Sequence, residues 1–165
     1  MGILSGEPMK LHIGSGDKFW PGWVNCDAYS DCDVQTDCKK LPFEYDYADE
    51  IQSIHFIEHV PRLDIENMLM DWHRVLKRGG KLAIEVPSLD KISKNVLAGE
   101  KNIRLTVLGI FGDPRDKKPG MMHQWCYTGA ELSEILHQCG FVGIEVKEPV
   151  FHLAERDMRI EAVKP

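Results

Sequence analysis

Residues 64–87 constrain the fold most. Asp64 can cap a helix, and Ile65, Met68, Leu69, Trp72, Val75 and Leu76 follow it at helical spacing. Lys77 and Arg78 suit the negative end of that helix, and Gly79 supplies a left-handed cap. Leu82 to Val86 is then nearly unbroken apolar sequence, stopped by Pro87. A strand this apolar is buried on both faces, as in a parallel sheet covered by helices.

The rest of the chain repeats the alternation. Lys10 to Ile13 reads as a strand running into Gly14-Ser15-Gly16. Trp23 to Cys26 is a second strand ending at Asp27, and Asp33 to Thr36 a third ending at Asp37. Leu41-Pro42-Phe43 turns away, and Asp49 to Phe56 is a fourth strand. Residues 88–111 read as partly helical. The polar stretch 112–122, rich in Pro, Gly and Lys, reads as a mobile loop. Thr128-x-x-Glu131 is a capping box opening a helix with Leu132, Ile135, Leu136 and Cys139 on one face, closed by Gly140. Val142 to Val146 and Met158 to Val163 form a final hairpin. The expected class is α/β, with a mostly parallel, doubly wound sheet of seven strands and an antiparallel C-terminal hairpin.

Length and charge narrow the setting. The 165 residues suit one domain, expected over residues 10–165, with residues 1–9 a loose or added tail. Met1 to Pro8 lacks the charged and apolar regions of a signal peptide. No apolar run approaches the ~20 residues of a membrane span. A net charge of −6 argues against a nucleic-acid backbone as main partner. Cys26, Cys32, Cys38, Cys126 and Cys139 form no C-x-x-C pair, which suits a reduced, cytoplasmic protein.

Chemistry gathers where the first three strands end. Ligands of open α/β sheets sit outside the C-terminal strand ends, where strand order reverses. Glycines after the first strand admit a ligand close to the backbone. An acid closing the next strand can accept from ribose hydroxyls, and a third from an exocyclic amine. Gly14, Gly16, Asp27 and Asp37 thus describe a nucleoside site.

With those residues in place, the sequence resembles the class I S-adenosylmethionine-dependent methyltransferases, closest to a short branch associated with glycan and small-molecule methylation. The matching stretches are KLHIGSG, PGWVNCD, TDCKKLPF, ADEIQSIHFIEHV, RVLKRGGKLAIEVP and HQWCYTGAELSEILHQCGF. The resemblance implies a Rossmann-like fold, S-adenosylmethionine as cofactor and a small-molecule or glycan acceptor, with a sugar hydroxyl favoured. It implies that Gly14, Ser15 and Gly16 line the methionine and ribose, and that Asp27 holds the ribose. Asp37 would face the adenine amine with the Cys38 backbone beside the ring, and His55 and Phe56 would lie near the methyl. Glu58, His59 and His123 are the candidates to take a proton from the acceptor. No added substrate domain is visible, so a second subunit, as in a homodimer, is one way to complete the pocket.

The sequence departs from that pattern in places. His12 stands where an acid or amide is usual, and Lys18 where a third glycine is usual. Asp27 lies eleven positions after Gly16, too few for a full helix, so the first helix should be shortened. A pyrophosphate would want that helix N-terminus; a sulfonium cofactor does not, which disfavours a nicotinamide cofactor. Two rivals remain: a module that binds a nucleoside without turnover, and, with less support, a zinc hydrolase through His55-x-x-Glu58-His59. The second needs both histidines on one helix face, which Pro61 disfavours, so no metal is expected. Asp31, Asp33 and Asp37 lack the glycine and distal Glu of a calcium loop. Trp72, Met68 and Leu69 read as core, and His73, His137 and His152 as inert.

Overall fold

A computed structural model describes residues 8–116 and 120–165. The expected tail falls almost entirely outside the described residues, as do positions 117–119 of the expected loop. Met9 is already held: its N–H donates to the Asp49 carboxylate (2.7 Å), and its carbonyl accepts from the Asp49 N–H (2.8 Å).

Seven strands form one sheet: β1 (Lys10–Ile13), β2 (Val24–Asp27), β3 (Val34–Gln35), β4 (Ala48–Ile54), β5 (Leu76–Pro87), β6 (Val142–Lys147) and β7 (Asp157–Val163). Their order is β3-β2-β1-β4-β5-β7-β6. The first five are parallel; β7 runs antiparallel between β5 and β6. This is the expected doubly wound, Rossmann-like sheet. Strand order reverses beside β1, since the chain steps outward to β3 and returns as β4 on the other side. A crevice therefore opens at the C-terminal ends of β1 and β4.

Among the described residues four α-helices accompany the sheet: α1 (Ile65–Val75), α2 (Leu89–Leu97), α3 (Val107–Phe111) and α4 (Gly129–Gln138). Ile65, Met68, Leu69, Trp72 and Val75 of α1 are all buried, as their spacing predicts. The Thr128 hydroxyl accepts from the Glu131 N–H (3.1 Å) and caps α4. Only half of the capping box forms, because the Glu131 carboxylate goes to Arg62 and Trp125 instead. No helix among the described residues is long and apolar enough to cross a membrane.

The structure corrects several expected boundaries. Helix α1 stops at Val75, and Leu76 is extended, with ψ 141°. Leu76 pairs with Ala48, while the Gly79 N–H reaches the Lys164 carbonyl (2.8 Å), so sheet pairing with distant segments takes Lys77 and Arg78 from the helix. Asp64 makes no capping bond; its carboxylate pairs with Lys39 (3.3 Å). Strand β4 ends at Ile54, because His55 adopts φ +53° and breaks the extended run. Between β1 and β2 no helix forms at all, only turns.

Candidate active site

The turn after β1 is fixed by two N–H groups, of Gly14 and Ser15, that share the Cys26 carbonyl at 2.9 and 3.0 Å. Gly14 has φ +68°, and a Cβ there would lie 2.3 Å from the Phe56 ring. Packing of protein on protein therefore demands this glycine. Gly16 (φ +53°) differs: a Cβ there meets nothing within 4 Å, so its backbone lies open.

Asp27 secures the same turn. One carboxylate oxygen accepts from the Gly16 N–H (2.9 Å), the other from the N–H groups of Tyr29 and Ser30 (2.8 and 2.9 Å). Burial pushes its acidity down, but these donors win and hold the carboxyl below its ordinary pKa. Three of roughly four acceptor sites are thereby committed, which leaves room for about one ligand hydroxyl. Asp37 sits at the next strand end and accepts from the Lys39 N–H (3.0 Å). Cys38, at φ +61°, turns its side chain into the core, and burial drives the thiol up to about 12. Its carbonyl accepts the buried Trp72 indole N–H (2.9 Å), so α1 pins this loop.

Where a helix is missing, aromatic rings stand instead. Trp20 stacks on His12 (3.8 Å between centroids) and on Phe151 (4.9 Å), with Trp23 edge-on at 5.2 Å. The departure at His12 is thus half of a stacked pair, further tied to Asn25 (3.2 Å).

At the end of β4 lies a second, more polar group. His55 Nδ1 is 2.9 Å from Glu58 Oε1 and Nε2 is 3.3 Å from Asp157 Oδ2, close ionic approaches without good hydrogen-bond alignment. Burial would lower its pKa, but the two carboxylates raise it to about 9. His152 lies over it at 4.0 Å; burial and the charge of His55 press its pKa down to about 4. Glu58 is fully buried, while its carbonyl accepts from the N–H groups of Gln124 and Trp125. That tie brings His123 edge-on to His59, 4.8 Å between centroids. Burial lowers the pKa of His123, whose Nδ1 lies 3.0 Å from the Gly109 carbonyl.

One cleft of about 590 Å³ joins these parts. Of the residues singled out in the sequence, Gly14, Ser15, Gly16, Asp27, Asp37, His55, Phe56 and His59 line it. Cys38, Glu58 and His123 do not; Glu58 reaches the cleft only through its histidine neighbours. The zinc-hydrolase arrangement does not form, since His55 follows the end of β4 and Glu58 and His59 lie in a three-residue 3-10 turn. No helix face carries both histidines.

Trp20, Phe151 and His152 also line the cleft and were missed in the sequence, His152 having been read as inert. A signal existed in Glu85, the one acid inside the apolar run of β5. Its buried carboxylate accepts from the N–H groups of Val150 and Phe151 (2.7 and 3.1 Å) and so draws residues 150–152 to the strand ends.

Residues 22–84 match the family described as methyltransferase domain. The match covers less than half of the chain and makes it similar to that family, in line with the resemblance to S-adenosylmethionine-dependent methyltransferases. No curated protein matches its sequence. Among solved structures, an S-adenosylmethionine-dependent methyltransferase from Archaeoglobus fulgidus superposes with a TM-score of 0.70 at 16% identity, over 96% of this chain and 87% of that one. A Haloferax volcanii methyltransferase solved with its Trm112 activator gives 0.61 at 17%, over 96% and 83%. Phosphoethanolamine N-methyltransferase 2 of Haemonchus contortus, solved with S-adenosylmethionine, gives 0.60 at 16%, over 99% and 50%.

The residues present fit S-adenosylmethionine, the cofactor that the resemblance implies. The Ser15 hydroxyl is buried at the cleft wall without a partner among the described residues, Asp27 keeps one acceptor site, and Gly16 leaves its backbone open.

Proposed function

We propose that this chain is an S-adenosylmethionine-dependent methyltransferase acting on a hydroxyl of a sugar or other small molecule in the reducing cytoplasm. The observation that carries the site assignment is the convergence of Gly14, Asp27, Asp37 and His59 on one cleft. Its volume lies within the ~300–1,000 Å³ common for small-molecule sites, which supports a small acceptor. All five cysteines are free, in keeping with a reducing compartment.

In this reading Gly14, Ser15 and Gly16 line the cofactor's methionine and ribose, and Asp27 accepts from one ribose hydroxyl. Asp37 meets the adenine amine with the Cys38 backbone at the ring's edge. The Trp20 and Phe151 rings close the side where a helix is absent. His55 and Phe56 lie toward the reacting end. The bound cofactor supplies a methyl already activated by its sulfonium; the chain's part is to align the acceptor oxygen with it and exclude water, an ordering worth ~7–11 kcal/mol when well realised. His59, in the cleft, stands where it can take the acceptor's proton, with Glu58 and His123 behind it.

Calorimetry with S-adenosylmethionine and its demethylated product tests this. Asp27→Ala should weaken binding of both at least ~10-fold, since a hydrogen bond to a charged group is lost and the Gly16 turn loosens. Unchanged affinity would sink the assignment of this cleft. Binding without transfer to any sugar or small hydroxyl acceptor would leave the non-catalytic module instead.

A further inference from the structure

Glu58, His59 and His123 have something in common beyond a place near the cleft. Each offers one ligand atom to a common point, all within 4.8 Å of one another. Among the described residues Glu58 Oε2 and His59 Nδ1 are buried without a hydrogen-bond partner, while Glu58 Oε1 faces His55 Nδ1 at 2.9 Å. Buried polar atoms are ordinarily paired, and leaving two orphaned side by side is costly unless something satisfies them together. His123 is prepared in the complementary way. Its Nδ1 faces the Gly109 carbonyl, which can only accept, so Nδ1 carries the proton and Nε2 keeps its lone pair. Histidines that bind metals are commonly oriented by such a carbonyl.

We infer that Glu58, His59 and His123 bind one divalent first-row transition ion at the acceptor end of the cleft. Two imidazoles and one carboxylate suit zinc, iron or manganese, whereas magnesium and calcium take all-oxygen sets. Three protein ligands leave a position open, and His59 lines the cleft from which it would be filled. Bonds of about 2.1 Å place ligand atoms at most about 4.2 Å apart, so binding draws the set slightly inward. A neighbouring group, His55, His152 and Asp157, has comparable spacing but a poorer donor set. The Arg156 guanidinium grips both Asp157 oxygens and opposes a cation there. The helical motif and the run Asp31, Asp33 and Asp37 are the metal patterns that spacing offers; His123 comes from a distant segment that no spacing reveals.

The ion's use rests on the methyl-transfer proposal. With the ion bound, His59 would serve as a ligand and not as the base, and an acceptor hydroxyl at the open position would lose its proton to water far more readily than a free one. Its oxygen lone pair then forms the new O–C bond as the C–S bond breaks with its electron pair going to sulfur. One proton is released per methyl transferred, and charge balances because the sulfonium becomes a neutral thioether.

Zinc titration of the chelator-treated full chain, followed by calorimetry, is the test, with thermal melts of each variant confirming folding. The wild type should take up one zinc per chain and ignore magnesium. His123→Ala and Glu58→Gln should each weaken uptake ~100-fold or more, beyond the 10–100-fold that outer residues alone produce. His152→Ala should leave it unchanged. No zinc uptake, or uptake that survives His123→Ala but fails in His152→Ala, overturns the inference. Cofactor binding measured without zinc keeps the outcomes apart: cofactor binding without zinc uptake defeats only this inference, and zinc uptake without cofactor binding defeats only the methyl-transfer assignment of the cleft.

Discussion

The two ends of the cleft are built on opposite plans. On the β1–β3 side, polar groups are already satisfied by protein. Asp27 accepts three backbone N–H groups, the Cys38 carbonyl takes the Trp72 indole, and the Asn25 amide is bonded to Asp33 and to the carbonyls of Trp20 and Trp23. Ser15 is the exception. On the β4 side, Glu58, His55 and His59 all hold buried atoms that lack an aligned partner. The first end is shaped before any ligand arrives and pays its polar cost within the fold. The second keeps buried polarity in reserve, and chemistry, rather than mere binding, is where such groups gather.

That contrast can be broken most forcefully at Gly14. An added Cβ would collide with Phe56 in a backbone conformation that L residues avoid. Gly14→Ala should destabilise the whole protein by about 3 kcal/mol or more, a fall of roughly 6–12 °C in Tm for a chain of this size. Loss of cofactor affinity with Tm unchanged would mean that the glycine serves the ligand and not the packing. His59→Ala probes the other end. It should lower kcat ~100-fold while Tm and cofactor affinity barely move, because its side chain faces the cleft and meets His123 only edge-on. A loss confined to cofactor affinity would place His59 at the wrong end. Trp72→Phe is gentler. It keeps most of the buried ring and leaves the Cys38 carbonyl unpaired, so about 1–3 kcal/mol of stability should go, with a weaker effect on cofactor affinity through the Cys38 loop.

The same contrast explains what could be read in the sequence. Leu82 to Val86 and the α1 face were legible because burial writes itself as a local period of apolar residues. Gly14, Asp27 and Asp37 were legible because each closes a strand, and strand ends are counted along the chain. The end of α1 was not, because Leu76 is claimed by Ala48 and Gly79 by Lys164, partners far away in sequence. Trp20 could be seen to replace a helix, but not to stack between His12 and Phe151. His152 and Asp157 were invisible as site residues because β7 reaches the cleft only by inserting next to β5. Side-chain clusters assembled from several loops leave no periodic trace.

The smallest effect concerns acid. The Asp27 carboxyl is held below its ordinary value of 3.8 in the folded protein, because its three backbone donors outweigh its burial. A carboxyl whose folded pKa is depressed adds stability that is complete above its unfolded pKa and disappears as pH falls through the folded one. The Tm advantage of wild type over Asp27→Asn should therefore be constant from pH 7 to about pH 5 and shrink below about pH 4, where the unfolded carboxyl titrates. Asparagine is a fair comparison because it keeps the shape and one acceptor oxygen but cannot titrate. Partial exposure of Asp27 to solvent keeps the effect small. A difference that stays level down to pH 3 would mean that the ionised form matters little to the Gly16 turn. The β1 end of the cleft would then owe its shape to backbone pairing, and Asp27 would be freer to meet a ligand than its hydrogen bonds imply.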